Sequence, residues 1–401
     1  MHCVRPVTDN LFWVGANDHR LSLFENIHPI PRGVTYNSYL LLDEKTVLFD
    51  TVDSAVCRQL LENVEYGLNG RQLDYLVINH VEPDHAASIS EVLIRYPDAY
   101  VISNEKAFRM MNQFGMKTER IIEISDGDEF NFGNHTVTFI SAPMVHWPEV
   151  MATIDLTSGV LFSADAFGSF GTLDGKLFAD EVGFDKYWID DARRYYSNIV
   201  GKYGPNVQKL LEKAKAFSDQ IKIVCPLHGP VWRKDLSYYI DKHDLWSRYE
   251  PEENGLLIIY ASMYGNTESA AIKLGSKLSQ KGFNDFVTYN VSKVHVSNLV
   301  SETFKYSHVA LLSVTYSNGL FPPILDYLEH MKALNIQKRT FAVVENGSWV
   351  PKAGDLIEDF LITELKDITV LSNRVTINSS ADEKTDRNLD ALADALIASI
   401  T

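Results

Sequence analysis

The sequence predicts a two-domain α/β protein: a layered unit with mixed or antiparallel sheets over residues 1–250, then a doubly wound parallel sheet over 254–401. Three observations predict it. The chain has 401 residues, too many for one small core. A charged, proline-bearing stretch, RYEPEENG from Arg248 to Gly255, runs straight into the buried-type strand LLIIYAS. The patterning also changes there, from short strands broken by loops to regular strand–helix alternation.

The elements follow in order. In the first unit, strands are expected at Asn37–Leu42, Thr46–Phe49, Leu73–Ile78, Ala99–Ser103, Thr136–Ser141, Val160–Ser163 and Ile221–Val224. They are rich in branched and aromatic residues and bounded by turn residues. Residues Pro205–Phe217 place apolar side chains at helical spacing. In the second unit, strands are expected at Leu256–Ala261, Phe286–Asn290, His308–Val314, Thr340–Val344 and Thr369–Leu371. Helices are expected at Thr267–Lys281, Pro322–Met331, Gly354–Glu364 and Glu383–Ala398. Apolar runs separated by helices imply a sheet covered on both faces.

Composition narrows the function. Lys and Arg number 37 against 53 Asp and Glu, a net charge of −16, which argues against nucleic acid as a partner. No apolar run nears the roughly 18–20 residues that span a bilayer, so no membrane partner is expected. The start, MHCVRPVTDN, lacks the pattern of a secretory leader. Cys3, Cys57 and Cys225 are odd in number and widely spaced, which fits no disulfide framework and suits a reducing cytoplasm.

The chemistry concentrates where strands end. Behind Leu73–Ile78 comes NHVEPDH, with His80, Glu82, Asp84 and His85 within six residues. His146 follows Thr136–Ser141, Asp165 follows Val160–Ser163, and His228 follows Ile221–Val224. Each alone is more often a structural residue; together they are a metal-ligating set carried by a rigid sheet. Seven donors exceed one tetrahedral zinc and suit two metals sharing a carboxylate. A shell of imidazole and carboxylate suits iron, manganese or zinc.

In the second unit, LLIIYAS runs into Ser262, Met263, Tyr264, Gly265, Asn266 and Thr267 at the start of a helix. Free N–H groups at such a junction bind phosphate. The loop has neither the lysine of a nucleoside-triphosphate loop nor a GxGxxG, and it suits a monophosphate such as that of FMN. Two further strand-end loops, with Thr315, Tyr316, Asn318 and Gly319 and with Asn346, Gly347, Ser348 and Trp349, offer stacking and edge hydrogen bonds for a flavin ring. No loop suits NAD(P)H.

The first constellation resembles the metallo-β-lactamase αβ/βα sandwich, whose His-x-His-x-Asp-His motif here has Glu82 in place of a histidine. Joined to a flavodoxin-like domain, that replacement resembles the flavodiiron proteins (A-type flavoproteins) over essentially the whole chain, the segment PRGVTYNSYLL (Pro31–Leu42) included. The resemblance implies one iron held by His80, Glu82 and His146, and a second held by Asp84, His85 and His228, with Asp165 bridging. It implies FMN, and reduction of O2 to water, of NO to N2O, or of both. It implies a head-to-tail homodimer or a dimer of dimers. Without a CxxC pair, the electron donor is expected to be external, a rubredoxin or reduced F420. Tyr195 and His28 resemble outer positions that supply protons or hydrogen bonds, and Trp147 is expected to pack. The competing readings are a dinuclear zinc hydrolase fused to a flavodoxin, and an electron-transfer flavoprotein without gas reductase activity.

Overall fold

The computed structural model describes residues 1–400. Contacts divide the chain into two compact units, Met1–Asp244 and the remainder from Leu245 onward.

The first unit is built on a seven-stranded and a five-stranded sheet. In the larger sheet, Arg5–Pro6, Leu11–Trp13, Tyr39–Leu42 and Thr46–Phe49 run antiparallel. Tyr75–Val77, Tyr100–Ser103 and Ile121–Glu123 then add in parallel. In the smaller sheet, Glu129–Asn131, Thr136–Ser141, Met151–Asp155 and Val160–Phe162 are antiparallel, and Ile223–Cys225 closes the edge in parallel. The two sheets meet through aromatic rings: Phe49 stacks on Phe162 at 3.9 Å and Tyr39 meets Phe162 edge-on at 5.6 Å. Such pairs add specificity to the area they bury. Helices Gly204–Lys215 and Leu236–Ser247 lie over the smaller sheet, with Leu210, Leu211 and Ile240 facing Ile140 and Leu161.

The second unit is one parallel sheet in the order Phe286–Asn290, Glu253–Tyr260, Tyr306–Tyr316, Gln337–Asn346, Lys366–Val370. Val375–Ile377 continues the pairing at the far end of Gln337–Asn346. In chain order this is 2-1-3-4-5, the flavodoxin-like winding, whose switch point lies between the first and third strands. Leu256, Ile258, Leu274, Leu312 and Leu392 are fully buried in its core. Both architectures are those expected.

Several elements differ from expectation. Helices Cys57–Leu68, Ile89–Arg95, Glu105–Gln113 and Val296–Lys305 are not anticipated by the sequence pattern. Side-chain caps start two of them: Asn104 accepts from the Ala107 N–H at the head of Glu105–Gln113, and His295 accepts from the Ser297 N–H at the head of Val296–Lys305. The strand behind NHVEPDH is only Tyr75–Val77, and Pro83–Ala86 is a helical turn rather than loop. Among the described residues, no helix is long and apolar enough to cross a membrane.

Candidate metal centre and flavin cavity

Four segments converge at one end of the first unit. The turn Pro83–Ala86 has proline at its first position, where its missing N–H is no loss, and carries Asp84 and His85. His80 and Glu82 precede it. Asp50 anchors the segment: its carboxylate accepts from the Asn79 N–H and side-chain amide, both at 2.7 Å. His146, Asp165 and His228 arrive from the ends of three strands of the smaller sheet. The structure thus brings all seven expected side chains together, as two groups whose ligand atoms each lie within 4.8 Å of one another: His80, Glu82, His146 and Asp165, and Asp84, His85 and His228.

Asp165 divides its two oxygens between the groups. Its Oδ2 lies 3.4 Å from His80 Nε2 and 3.1 Å from His146 Nε2. Its Oδ1 lies 3.2 Å from His85 Nε2 and 3.7 Å from His228 Nε2. Glu82 Oε2 completes the first group, 3.3 Å from His80 Nε2 and 2.9 Å from His146 Nε2. Asp84 Oδ2 completes the second, 3.4 Å from His85 Nε2 and 3.2 Å from His228 Nε2.

Hydrogen bonds on the far sides of the rings aim the lone pairs inward. His228 Nδ1 donates to the Thr35 carbonyl at 2.6 Å, and His80 Nδ1 donates to Glu149 at 2.7 Å. Their Nε2 atoms therefore face carboxylate oxygens, acceptor against acceptor. The Asp84 oxygens and Asp165 Oδ1 are buried without a hydrogen-bond donor. Such convergence is relieved by protons or by cations. Burial pushes the Asp84 carboxyl up to about 7, with Glu82 and Asp165 adding to it against His85. Burial opposes the charge on His146, yet Asp165 and Glu82 hold it up at about 9. Asp165 is held well below the usual carboxylate range against its burial, by His80, His146 and His85. Imidazole and carboxylate donors in two groups around one shared carboxylate fit a pair of divalent metals.

The surroundings are aromatic. Phe24, Tyr36 and Tyr195 place their rings 5.3, 5.7 and 5.4 Å from the His228 ring. Tyr195 is buried and its hydroxyl has no hydrogen-bond partner. His28 is buried on the hairpin Phe24–His28, its Nε2 3.8 Å from Glu25. Trp147 meets the His80 ring edge-on at 5.5 Å and stacks on Phe114 at 6.2 Å. Sequence reasoning missed Glu25 and Glu149. Burial, then Glu82, pushes the Glu25 carboxyl up to about 7. Glu149 stands three residues after His146 in HWPEV, an acidic residue in a turn-like context with no other signal.

In the second unit, the three expected loops and Ser379 line a cavity of about 440 Å³ at the carboxyl ends of the strands. That is a volume suited to a cofactor-sized ligand. Ser262, Met263, Tyr264, Asn266, Thr267, Thr315, Tyr316, Asn318, Asn346, Gly347, Ser348 and Trp349 all border it. Gly265 and Gly319 do not, and they shape the loops instead. Gly265 takes φ +95° just before helix Asn266–Gln280, and no heavy atom lies within 4 Å of where a Cβ would stand, so backbone conformation rather than space calls for glycine. Gly319 pairs with Tyr316 in a two-residue hairpin whose Ser317 and Asn318 take φ 50° and 59°. The Ser262 hydroxyl accepts from the Gly265 N–H at 3.0 Å and braces the first loop. The Thr315 hydroxyl accepts from the Lys352 and Ala353 N–H groups at the start of helix Ala353–Glu364, which fixes its oxygen at the cavity border. Ser379, missed in the sequence, joins the site by exchanging hydrogen bonds with Asn346 across 33 positions of chain.

Two groups of metal-ligating side chains on a lactamase-like sandwich, with a cofactor-sized cavity on a flavodoxin-like sheet, mark an oxidoreductase of the flavoprotein class. Residues 34–229 match the ODP family of beta-lactamase-like domains, and residues 258–368 match flavodoxin. The anaerobic nitric oxide reductase flavorubredoxin of Vibrio vulnificus is 30% identical over 360 residues, covering 88% of this chain and 71% of that protein. An uncharacterised protein of Methanocaldococcus jannaschii is 29% identical over 357 residues, 89% of this chain and 88% of its own. Among solved structures, rubredoxin:oxygen oxidoreductase of Desulfovibrio gigas superposes with a TM-score of 0.91 at 26% identity, covering 99% of this chain and 98% of that one. The flavodiiron protein of Giardia intestinalis shares the fold with the same TM-score at 24% identity, covering 99% of this chain and 97% of its own. The chain belongs to the flavodiiron protein family.

Proposed function

We propose that this oxidoreductase reduces O2 to water, NO to N2O, or both, at two irons held by His80, Glu82, His146, Asp165, Asp84, His85 and His228. Its electrons arrive through FMN from an external donor, a rubredoxin or reduced F420. The observation that carries this reading is the division of Asp165 between the two groups, Oδ2 toward His80 and His146, Oδ1 toward His85 and His228. Two irons held by these groups would supply neighbouring sites for both atoms of O2 or for two NO molecules, a gain in proximity over a single metal.

The chain's own residues prepare that chemistry. The Nδ1 bonds of His80 and His228 fix both rings with Nε2 inward. Phe24, Tyr36 and Tyr195 crowd His228 and keep bulk water from it. The Tyr195 hydroxyl, unpartnered and on a ring 5.4 Å from His228, would donate a hydrogen bond to a guest there, and His28 with Glu25 would offer a route for protons from the hairpin. In the flavin cavity, Ser262, Asn266 and Thr267 hold the phosphate, while Tyr316 and Trp349 border the ring. We place the active unit as a head-to-tail homodimer or a dimer of dimers. Three cysteines without a disulfide suit the reducing cytoplasm.

The test is anaerobic. The protein, loaded with iron and FMN and fully reduced, is mixed with O2 or NO and uptake is followed by electrode. Fast uptake of either gas, lost together with bound iron in Asp165→Asn, is the expected result. No uptake of either gas from reduced, iron-loaded protein would overturn the reading and favour the zinc hydrolase or the simple electron carrier.

A further inference from the structure

The imidazoles of the metal centre are not supported alike. His228 Nδ1 donates to a backbone carbonyl, Thr35 O at 2.6 Å. His85 Nδ1 is buried with no hydrogen-bond partner. Of these rings, and among the described residues, only His80 has its Nδ1 backed by a carboxylate, Glu149 Oε1 at 2.7 Å. Glu149 also accepts from the Val81 N–H at 3.1 Å, next to the ligand it supports. Its backbone is tied in turn, with Asn104 Nδ2 donating to the Glu149 carbonyl at 2.7 Å. The side chain is fully buried, and its second oxygen, Oε2, has no donor.

A buried carboxylate with one unanswered oxygen is costly unless its charge is shared. The ring of His80 is the partner that shares it. A cation on Nε2 makes Nδ1–H more acidic and strengthens its bond to Glu149. The carboxylate in turn makes the ring a stronger donor. A backbone carbonyl, being neutral, gives His228 less of this.

We propose that Glu149 is a positioning residue that makes the two metal positions unequal. It locks His80 with Nε2 inward and raises its donor strength, so the metal at His80, Glu82 and His146 is held more tightly. That metal also favours the ferric state more than its neighbour at Asp84, His85 and His228. The inference rests on the diiron reading above.

The test uses the full-length protein, stripped of metal and titrated anaerobically with Fe(II) against a competing chelator. Glu149→Gln keeps the shape and leaves an amide oxygen for Val81, but removes the charge. The expected result is a loss of about tenfold or more in the affinity of one Fe(II) and little change in the other. A rise in the midpoint potential of the centre should accompany it. Glu149→Asp keeps the charge at shorter reach and should fall between wild type and Gln; it decides the matter if Glu149→Gln does not fold. Wild-type affinities and potential in the folded variant would overturn the proposal and leave Glu149 a mere acceptor for Val81. Failure of the wild-type protein to bind two Fe(II) would overturn the diiron reading itself, and this inference with it.

Discussion

At the scale of single residues, this chain repeatedly fixes which nitrogen of a buried imidazole carries the proton. His80 and His228 do so for the metal centre. His243 does so away from it: its Nδ1 faces the Tyr239 carbonyl at 3.1 Å, and its Nε2 accepts from the Phe167 N–H at 3.2 Å. A second proton on Nε2 would meet the Phe167 N–H head-on. Burial lowers the pKa of His243 to about 3, only partly opposed by the Tyr239 carbonyl. The unfolded chain binds this proton near pH 6.5 and the folded chain does not. Stability is therefore intact above about pH 6.5 and declines as pH falls toward 3, by up to about 1.4 kcal/mol per unit. Denaturant melts of wild type and His243→Asn across that window should show a shallower acid loss in the variant. Equal slopes would mean that His243 is protonated in the folded state. The same scale shows what could be read without coordinates. The seven donors stand out because their residue types are rare together and fall where strands end. Glu149 does not, because one acid among turn residues acquires its role only when the sheet brings His80 to it. Ser379 is hidden for the same reason, since its partner Asn346 is remote in the chain.

At the scale of elements, helices Asn266–Gln280 and Glu383–Ile400 pair through charge as well as through Leu274, Leu278, Leu389 and Leu392. Lys273, Lys277 and Lys281 face Asp386, Asp390 and Asp394, each series spaced by four residues. The contacts run Lys273–Asp386 at 2.7 Å, Lys277–Asp386 at 3.2 Å, Lys277–Asp390 at 3.6 Å, Lys281–Asp390 at 3.3 Å and Lys281–Asp394 at 2.8 Å. Isolated exposed pairs contribute little, whereas a shared network with one partly buried lysine, Lys277, is better organised. Salt shortens the screening length from about 30 Å at 0.01 M to about 3 Å at 1 M. Replacing all three aspartates by asparagine should lower the melting temperature at low salt, and the difference from wild type should shrink at 1 M NaCl. A difference independent of salt would assign the pairing to the leucines alone. Both helices are visible in the sequence through their apolar spacing. Others, such as Cys57–Leu68, Glu105–Gln113, Leu236–Ser247 and Val296–Lys305, are less legible, because helices this short are marginal on local propensity and tertiary packing selects the helical state.

At the scale of the whole molecule, two units with separate cores carry two different sites. The strand order 2-1-3-4-5 could be anticipated from regular strand–helix alternation. The mixed seven-stranded sheet is legible only as a layered α/β unit, since strands of two to four residues carry too little periodicity to set their order. The division also has an energetic consequence. A ligand that binds only the native state stabilises the unit that holds it, by about 2.7 kcal/mol at a hundredfold excess over its dissociation constant. On the proposed reading, FMN engages residues beyond Leu245, and iron engages residues before Asp244. Calorimetry on the full chain should therefore resolve two transitions. Saturating FMN should raise one of them, and iron removal by a chelator should lower the other. Because both Asp84 oxygens and Asp165 Oδ1 lack hydrogen-bond donors, the metal-dependent transition should be the more sensitive of the two to acid, as protons take the place of cations. A single transition that shifts with both ligands would show instead that the units unfold as one, and that either site reports on the stability of the entire chain.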